Sequence, residues 1–427
     1  MRKRFLVRST VADLAALALS IVFASIYVFG AVLPWNSVTA ADSIPMVLYL
    51  FLSMVLFSLI TAQMSGPGVP RPSYGRMFAI FLGTGGLTSL ILLFTREYFS
   101  RPFLLITAGS WLVLATAHRI MRLRRPWTER IAVITGEKQL ADDLADSPHA
   151  DVVWVLDPKS ESVPDLPDRN VTMAVDLRVV LSERVAQYIS SCDVAGYNIQ
   201  PFTSIYEEHT GRVPLVHLAE GWEISTPLLE VAPWLPGKRA VETLVTLLTA
   251  PIWAILAGLV AFYLKLSTGG GPALFKQERV GFGGAPFTMY KFRSMEEDAE
   301  KDGPSFASKQ DHRLIPGGRF LRKSRLDEIP QLWNVLKGDM SLVGPRAEQV
   351  PFADAFTRQI PFYPHRHLVR PGITGWAQVN YGYADDEADT VEKLTYDLYY
   401  IKHMSPVMDL RVLWKSVWTV LTGFGAR

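Results

Sequence analysis

Four apolar runs, at residues 11–33, 46–64, 77–95 and 102–118, constrain this chain more than any other feature. Each is close to the ~20 residues that a helix needs to cross the hydrocarbon core of a bilayer. Four in succession read as a four-helix membrane unit over residues 1–125, with a soluble helical bundle as the alternative. The basic start MRKR resembles the opening of a signal peptide, but no small-residue cleavage site follows and further spans do, so the segment reads as retained. Arg2, Lys3, Arg4 and Arg8 precede the first run, Arg71 and Arg76 fall in the second loop, and Arg119, Arg122, Arg124 and Arg125 follow the fourth run. The first loop, Pro34 to Pro45, has no Lys or Arg. By the positive-inside rule both ends of the unit face the cytoplasm, against a weaker opposing signal from Arg96 and Arg101.

The 427 residues are too many for one ordinary domain, and at 49% hydrophobic they are too apolar for a purely soluble protein. Membrane segments plus two soluble units are therefore expected. A single cysteine, Cys192, excludes an internal disulfide and a multi-cysteine zinc site. From about 126 to 236 short strand-like runs (131–134, 151–156, 171–175, 198–202) alternate with helical ones such as 181–192, the pattern of a small parallel α/β unit. The turn after its first strand reads TGEKQLA, with one glycine and no G-x-G-x-x-G, so it lacks the usual means of holding a dinucleotide. The following YEEHTGRVPL, 206–215, reads as a connector whose charged residues are solvated.

Leu244 to Leu264 is an apolar run of 21 residues, long enough to cross a bilayer, with Pro251 inside it. Proline removes a backbone hydrogen bond and clashes with the carbonyl four residues earlier, so a break is expected near Thr249-Ala250. Thr246 and Thr249 are placed to bond the carbonyls freed there. Between 273 and 295 a hairpin is expected around FGGAP, with Lys291 and Arg293 on one strand face. Two such cations suit a diphosphate; an ordinary solvated face is the alternative, and Lys276 and Arg279 of the same hairpin leave the same choice. Residues 296–312 read as a polar loop that orders over bound substrate.

The densest chemistry lies in Ser324 to Arg346, where the adjacent carboxylates Asp327 and Glu328 fall between Arg325 and Arg346. Ile329, Leu332, Trp333 and Leu336 follow a helical period, and Gly338 supplies a stop. Asp327 then stands at or near the N-cap of that helix, with Pro330 in the first turn, and a simple capping role accounts for an Asp in that place. Asp339 is either a metal-site group or the anchor of the turn after the helix. His365 and His367 read as a surface pair, because no third ligand is spaced with them. Arg370, in RPGITG, contacts a ligand or shapes its loop. The tail from Leu410 to Phe424 has an interfacial pattern in which Arg411 and Lys415 meet lipid phosphates; packing onto the core is the alternative.

SRLDEIPQLWNVLKGDMSLVGPR resembles the signature of the bacterial sugar transferases, the polyprenyl-phosphate phosphoglycosyl transferases with a monotopic catalytic domain. Lys238-Arg239, GPALFKQERVG, FTMYKFRSM, RPGITGWAQVNYG and KLTYDLYYIKHMS match the same family in the same order, over about the last 190 residues. Glu242, Ala250 and Ala347 depart from its pattern and leave the carboxylate pair intact. The resemblance implies an α-rich membrane protein with α/β parts: four transmembrane helices (1–125), a Rossmann-like module and connector (126–236), and an α+β catalytic domain (237–427) with a re-entrant helix (238–266) broken at Pro251. It implies transfer of a sugar-1-phosphate from a UDP-sugar to polyprenyl (undecaprenyl) phosphate, with Asp327 as the attacking carboxylate and Glu328 assisting it. Lys291, Arg293, Arg325, Arg346, Arg370 and Arg279 would clamp phosphates, and Glu328, with Asp339 as the second candidate, would hold Mg²⁺. The bilayer and, through the α/β module, a second copy of the chain are expected partners; nucleic acid is not. The expected location is the bacterial inner membrane, multi-pass, with the catalytic domain on the cytoplasmic face. A non-catalytic scaffold or sensor, and an inverting glycosyltransferase releasing UDP, are the competing readings.

Overall fold

The computed structural model describes residues 2–37, 43–63, 74–96, 100–123, 128–165, 168, 170–218, 234–268, 271–296, 313–381 and 387–422. The chain divides into two compact units, Met1–Thr210 and Gly211–Arg427. Arg71, Arg124, Arg125 and all but Glu296 of the expected substrate loop lie outside the described residues.

The first unit opens with four long helices, α1 (Arg2–Phe29), α2 (Ile44–Gln63), α3 (Tyr74–Thr95) and α4 (Arg101–Leu123). Leu17, Ile21, Met46, Met54, Ile80, Phe103 and Trp111 pack between them. Leu19, Phe23, Leu52, Leu82, Leu93 and Leu105 point outward, so the helices are apolar on both faces, as membrane helices are and surface helices of soluble domains are not. The helices run past the apolar stretches, and two arginines placed outside those stretches, Arg76 and Arg119, lie within the helices. Arg119, in α4, donates to both oxygens of Asp13 in α1 at 2.8 and 3.1 Å, with the two side chains 0% and 1% exposed. Arg76, in α3, donates to Thr61 Oγ1 at 3.2 Å and to the Ser58 carbonyl at 3.3 Å. A long side chain near a helix end can turn inward when a carboxylate or carbonyl receives it, which a tally of loop charges cannot anticipate.

The same unit continues as a four-stranded parallel sheet of order β2-β1-β3-β4, from β1 (Glu129–Ile134), β2 (Ala150–Leu156), β3 (Val171–Val175) and β4 (Asn198–Pro201). Helices α5 (Lys138–Ala145), α6 (Glu183–Val194) and α7 (Phe202–Thr210) complete it. Core clusters lie on both sheet faces, which is why every residue of β3 is buried. At the end of β1 the Thr135 hydroxyl donates to Asp176 at 3.1 Å. The solvated connector is corrected here: Glu207 and His209 are buried in α7, and His209 Nε2 meets Glu129 at 3.1 Å.

In the second unit α8 (Trp234–Leu248) and α9 (Ala250–Ser267) meet at Thr249, the expected break. Both threonine hydroxyls bond carbonyls of the preceding turn, Thr246 to Glu242 (2.7 Å) and Thr249 to Val245 (2.8 Å). The Trp253 indole takes the Thr246 carbonyl at 3.0 Å. Five helices among the described residues are long and apolar enough to cross a membrane, α1 to α4 and α9. The hairpin follows as β5 (Leu274–Val280) and β6 (Pro286–Phe292), antiparallel. Then come α10 (Gly318–Lys323), α11 (Gln331–Lys337), β7 (Ser341–Val343), α12 (Val350–Gln359), β8 (Gly372–Thr374), α13 (Trp376–Asn380), α14 (Glu387–Lys402) and α15 (Pro406–Thr422). Tyr363, Trp376, Leu398, Tyr400 and Val412 lie in the main core.

Helix α15 is packed on one face and exposed on the other, and the end of the expected tail, 423–424, lies outside the described residues. Met408 and Val412 enter the core, while Leu410, Leu413, Trp414 and Val417 are exposed. Lys415 follows the packing alternative: its ammonium lies 4.5 Å from the centre of the Trp376 ring and donates to Asn380 Oδ1 at 2.5 Å.

Candidate active site

Asp327 and Glu328 lie in a single 3-10 turn, Leu326–Glu328, between α10 and α11. Asp327 is not the cap of the following helix, which begins at Gln331 with Pro330 in the capping place. Proline supplies no N–H for an α-type bond back to Leu326, and the chain closes tight turns instead: Ile329 N bonds Leu326 O, and Trp333 N bonds Pro330 O. The apolar stripe is also corrected. Trp333 is 54% exposed, and α11 buries Gln331, Asn334 and Val335. The buried face is polar because the Asn334 amide serves the hairpin, donating to Thr288 O at 2.7 Å and accepting from Tyr290 N at 3.1 Å. Gly338 ends the helix as expected, at φ 95°, where a side chain would be strained.

Both carboxylates are buried, and they are treated differently. Glu328 Oε1 faces three cations: Arg346 Nη1 at 3.2 Å, Arg325 Nη1 at 3.5 Å and Lys291 Nζ at 3.6 Å. Arg325 reaches it from a left-handed backbone (φ 59°), uncommon outside glycine and frequent at functional turns. Asp327 Oδ1 is buried with no hydrogen-bond partner among the described residues. Burial and the adjacent Glu328 charge push the Asp327 carboxyl up to about 6, against the pull of Lys291, Arg325 and Arg346. Burial would raise Glu328 too, but the same three cations, Arg346 foremost, overcome it and hold that carboxyl well below its usual range. Burial, with Arg346 next to it, brings the Lys291 ammonium down to about 8.

The remaining expected residues divide. Arg293 is buried directly after β6, and its backbone N–H bonds Ala273 O at 2.9 Å. Arg279 donates to Ala347 O at 3.0 Å and to Gln277, and its charge acts on Lys291. Arg370 is engaged at the far end of α11, donating to Gly338 O at 2.9 Å. Asp339 is at that end as well, accepting from Lys337 (2.9 Å) and Asn334 (3.1 Å), the turn-anchor arrangement. His365 and His367 join no cluster of metal-ligating side chains among the described residues.

Sequence reasoning passed over the residues that hold the site's two arms. Arg239 caps α11, donating to the carbonyls of Val335 and Leu336 (2.9 Å to the latter). Lys238 and Glu242, one turn apart on α8, grip β7: Lys238 Nζ donates to Val343 O at 3.1 Å, and Glu242 Oε1 accepts from Ser341 Oγ at 2.6 Å and Leu342 N at 3.1 Å. Asp409 closes this buried network on Lys238 at 2.6 Å. Their signal was present, since charged side chains on one face of an otherwise apolar helix need partners.

No group of three or more metal-ligating side chains occurs among the described residues. The pair nonetheless fits Mg²⁺, which binds through one or two carboxylates and takes its other ligands from water and phosphate oxygens. Glu328, held ionised by the three cations around it, supplies such a carboxylate.

The described residues thus combine long apolar helices with a buried carboxylate pair ringed by cations. The profile of the bacterial sugar transferase family matches residues 234–423. The chain is 44% identical over 244 residues to the UDP-N-acetylgalactosamine-undecaprenyl-phosphate N-acetylgalactosaminephosphotransferase of Aeromonas hydrophila, covering 56% of each protein. It is 32% identical over 354 residues to the UDP-glucose:undecaprenyl-phosphate glucose-1-phosphate transferase of Xanthomonas campestris pv. campestris, covering 77% of this chain and 70% of that one. An Escherichia coli K12 protein of the same description is 40% identical over 233 residues, 53% of this chain and 47% of its own. The chain belongs to the bacterial sugar transferase family.

Proposed function

We propose that this protein transfers a sugar-1-phosphate from a UDP-sugar to undecaprenyl phosphate at the cytoplasmic face of the bacterial inner membrane, opening the synthesis of a surface polysaccharide. The relatives' names supply the reactant classes, and two different sugars occur among them, so the sugar is left open. The observation that carries the reading is Asp327 Oδ1, buried and without a hydrogen bond among the described residues, next to a Glu328 that gathers three cations.

In this account Asp327 Oδ1 attacks the β-phosphorus of the donor. The bond from that phosphorus to the bridging oxygen breaks, UMP leaves with the oxygen, and an aspartyl-phosphosugar remains. A phosphate oxygen of the lipid acceptor then attacks the same phosphorus, releasing the Asp327 carboxylate and the lipid-diphosphate-sugar. Lys291, Arg325 and Arg346 meet the charge that builds on the phosphoryl oxygens, already oriented by Glu328. Glu328 would hold Mg²⁺, whose charge would neutralise the diphosphate, and Asp327 Oδ1 stays free to attack. Helices α8 and α9 form a re-entrant pair that dips into one leaflet and returns, keeping the α/β unit and the catalytic domain on one side.

Isotope exchange tests the covalent step. Labelled UMP should enter the UDP-sugar pool with Mg²⁺ and no lipid acceptor, and Asp327→Asn should abolish it. Wild-type protein that exchanges no label while turning over with acceptor would mean direct transfer.

A further inference from the structure

The stretch from Val343 to Glu348 delivers Arg346 to Glu328, and five of its six carbonyls accept hydrogen bonds. Val343 O accepts from Lys238 and Tyr400, Pro345 O from Gly372 N (2.8 Å), Arg346 O from Arg366 Nη2 (3.1 Å), Ala347 O from Arg279 (3.0 Å) and Glu348 O from Val280 N (2.9 Å). The donor to Arg346 itself comes from a 3-10 segment, Tyr363–Leu368, between α12 and β8. The Arg366 guanidinium is buried. Its Nη2 also binds Asp397 Oδ2 of α14 at 2.8 Å, its Nη1 donates to the Tyr363 hydroxyl at 2.6 Å, and Glu348 lies 3.9 Å away. Asp397 is 2% exposed.

A buried ion pair is a poor way to gain stability, because desolvating both charges offsets most of their attraction. It is a good way to fix geometry, because a planar guanidinium holds several acceptors in one plane. Here one of those acceptors is the backbone of the residue whose side chain meets Glu328. We infer that Arg366, anchored by Asp397 and Tyr363, is a positioning residue that fixes the Arg346 backbone and thereby sets where the Arg346 guanidinium meets Glu328 and the donor diphosphate. The inference rests on the phosphoglycosyl transfer reading above. Arg366→Lys keeps the charge and loses the planar fork that reaches Tyr363, Asp397 and the Arg346 carbonyl together.

A double-mutant cycle separates positioning from a merely structural role. Wild type, Arg366→Lys, Arg346→Ala and the double variant are compared in detergent or nanodiscs, as full chains, for kcat/KM of UMP release and, independently of turnover, for UDP affinity by calorimetry. Arg366→Lys should lower kcat/KM about 10- to 100-fold, the cost of a small misplacement of a reacting group. In the Arg346→Ala background it should cost less than about 2-fold, since the guanidinium it positions is gone. UDP affinity should show the same non-additivity, and Asp397→Asn should reproduce it if Arg366→Lys folds poorly. Costs that multiply in both readouts, or losses that follow the folded fraction alone, would overturn the inference. A cycle with the expected non-additivity in UDP affinity, together with wild type that releases no UMP, would retire the transfer reading and leave the positioning role standing.

Discussion

Arg346 Nη1 lies 3.2 Å from Glu328 Oε1, while the adjacent Asp327 keeps Oδ1 free of hydrogen bonds among the described residues. Glu328 gathers the cations, and the proposed mechanism leaves Asp327 to react. Asp327→Asn should therefore cut turnover about 10³-fold or more, the scale seen when a residue essential to a covalent step is lost. Turnover near wild type would end Asp327's role as nucleophile.

The same substitution should stabilise the fold. The folded Asp327 carboxyl sits at about 6, above its value in an unfolded chain, so its burial weakens the native state increasingly as pH rises toward 6 and by a constant amount above that. Asn carries no charge to desolvate. Asp327→Asn should melt a few degrees above wild type at pH 8, with the gain shrinking as pH falls from about 6 toward 4. An equal or lower melting temperature at pH 8 would contradict the assignment of a strained, buried carboxylate.

Activity should follow a bell. The nucleophile must be ionised, so kcat/KM rises as pH passes about 6; Lys291 must be protonated, so it falls again above about 8. In Lys291→Arg the alkaline limb should move beyond about pH 10, because a guanidinium stays charged there. A limb that stays near 8 in that variant belongs to another group.

Much of this was legible because the patterns involved are local. Apolar run length gave α1 to α4, alternation gave the parallel strands and the hairpin, and Pro251 gave the break at Thr249. What was misjudged or left open was decided by partners distant in sequence. Arg119 turns inward because Asp13 is there, Lys415 because Trp376 is there, and α11 buries Asn334 rather than Trp333 because β6 needs an amide. For Arg370 and Asp339 the sequence left a ligand role and a structural role both open, and the contacts found are with the end of α11. The bracket of Arg325 and Arg346 about the acid pair was right; that all three cations converge on Glu328 and not Asp327 needed the structure.

The grip of α8 on β7 predicts a cost in stability as well as activity. Removing the Lys238 ammonium by Lys238→Met strands Glu242 and Asp409 in a buried network, a loss of about 3 kcal/mol or more. Thermal unfolding in nanodiscs should show the second unit melting early. An unchanged transition would mean that this network is not what ties α8 to the site.

Magnesium should be required for turnover, and Glu328→Gln should raise the concentration needed for half-maximal activity, since a neutral amide is a weaker ligand for a hard cation and no longer draws the three cations together. Full activity of wild type in excess chelator would remove the metal from the account.

The most direct test is the identity of the released nucleotide. Purified protein with Mg²⁺, undecaprenyl phosphate and each of a panel of UDP-sugars should release UMP with at least one of them, in step with lipid-diphosphate-sugar. Release of UDP instead would contradict sugar-phosphate transfer and make the protein a glycosyltransferase.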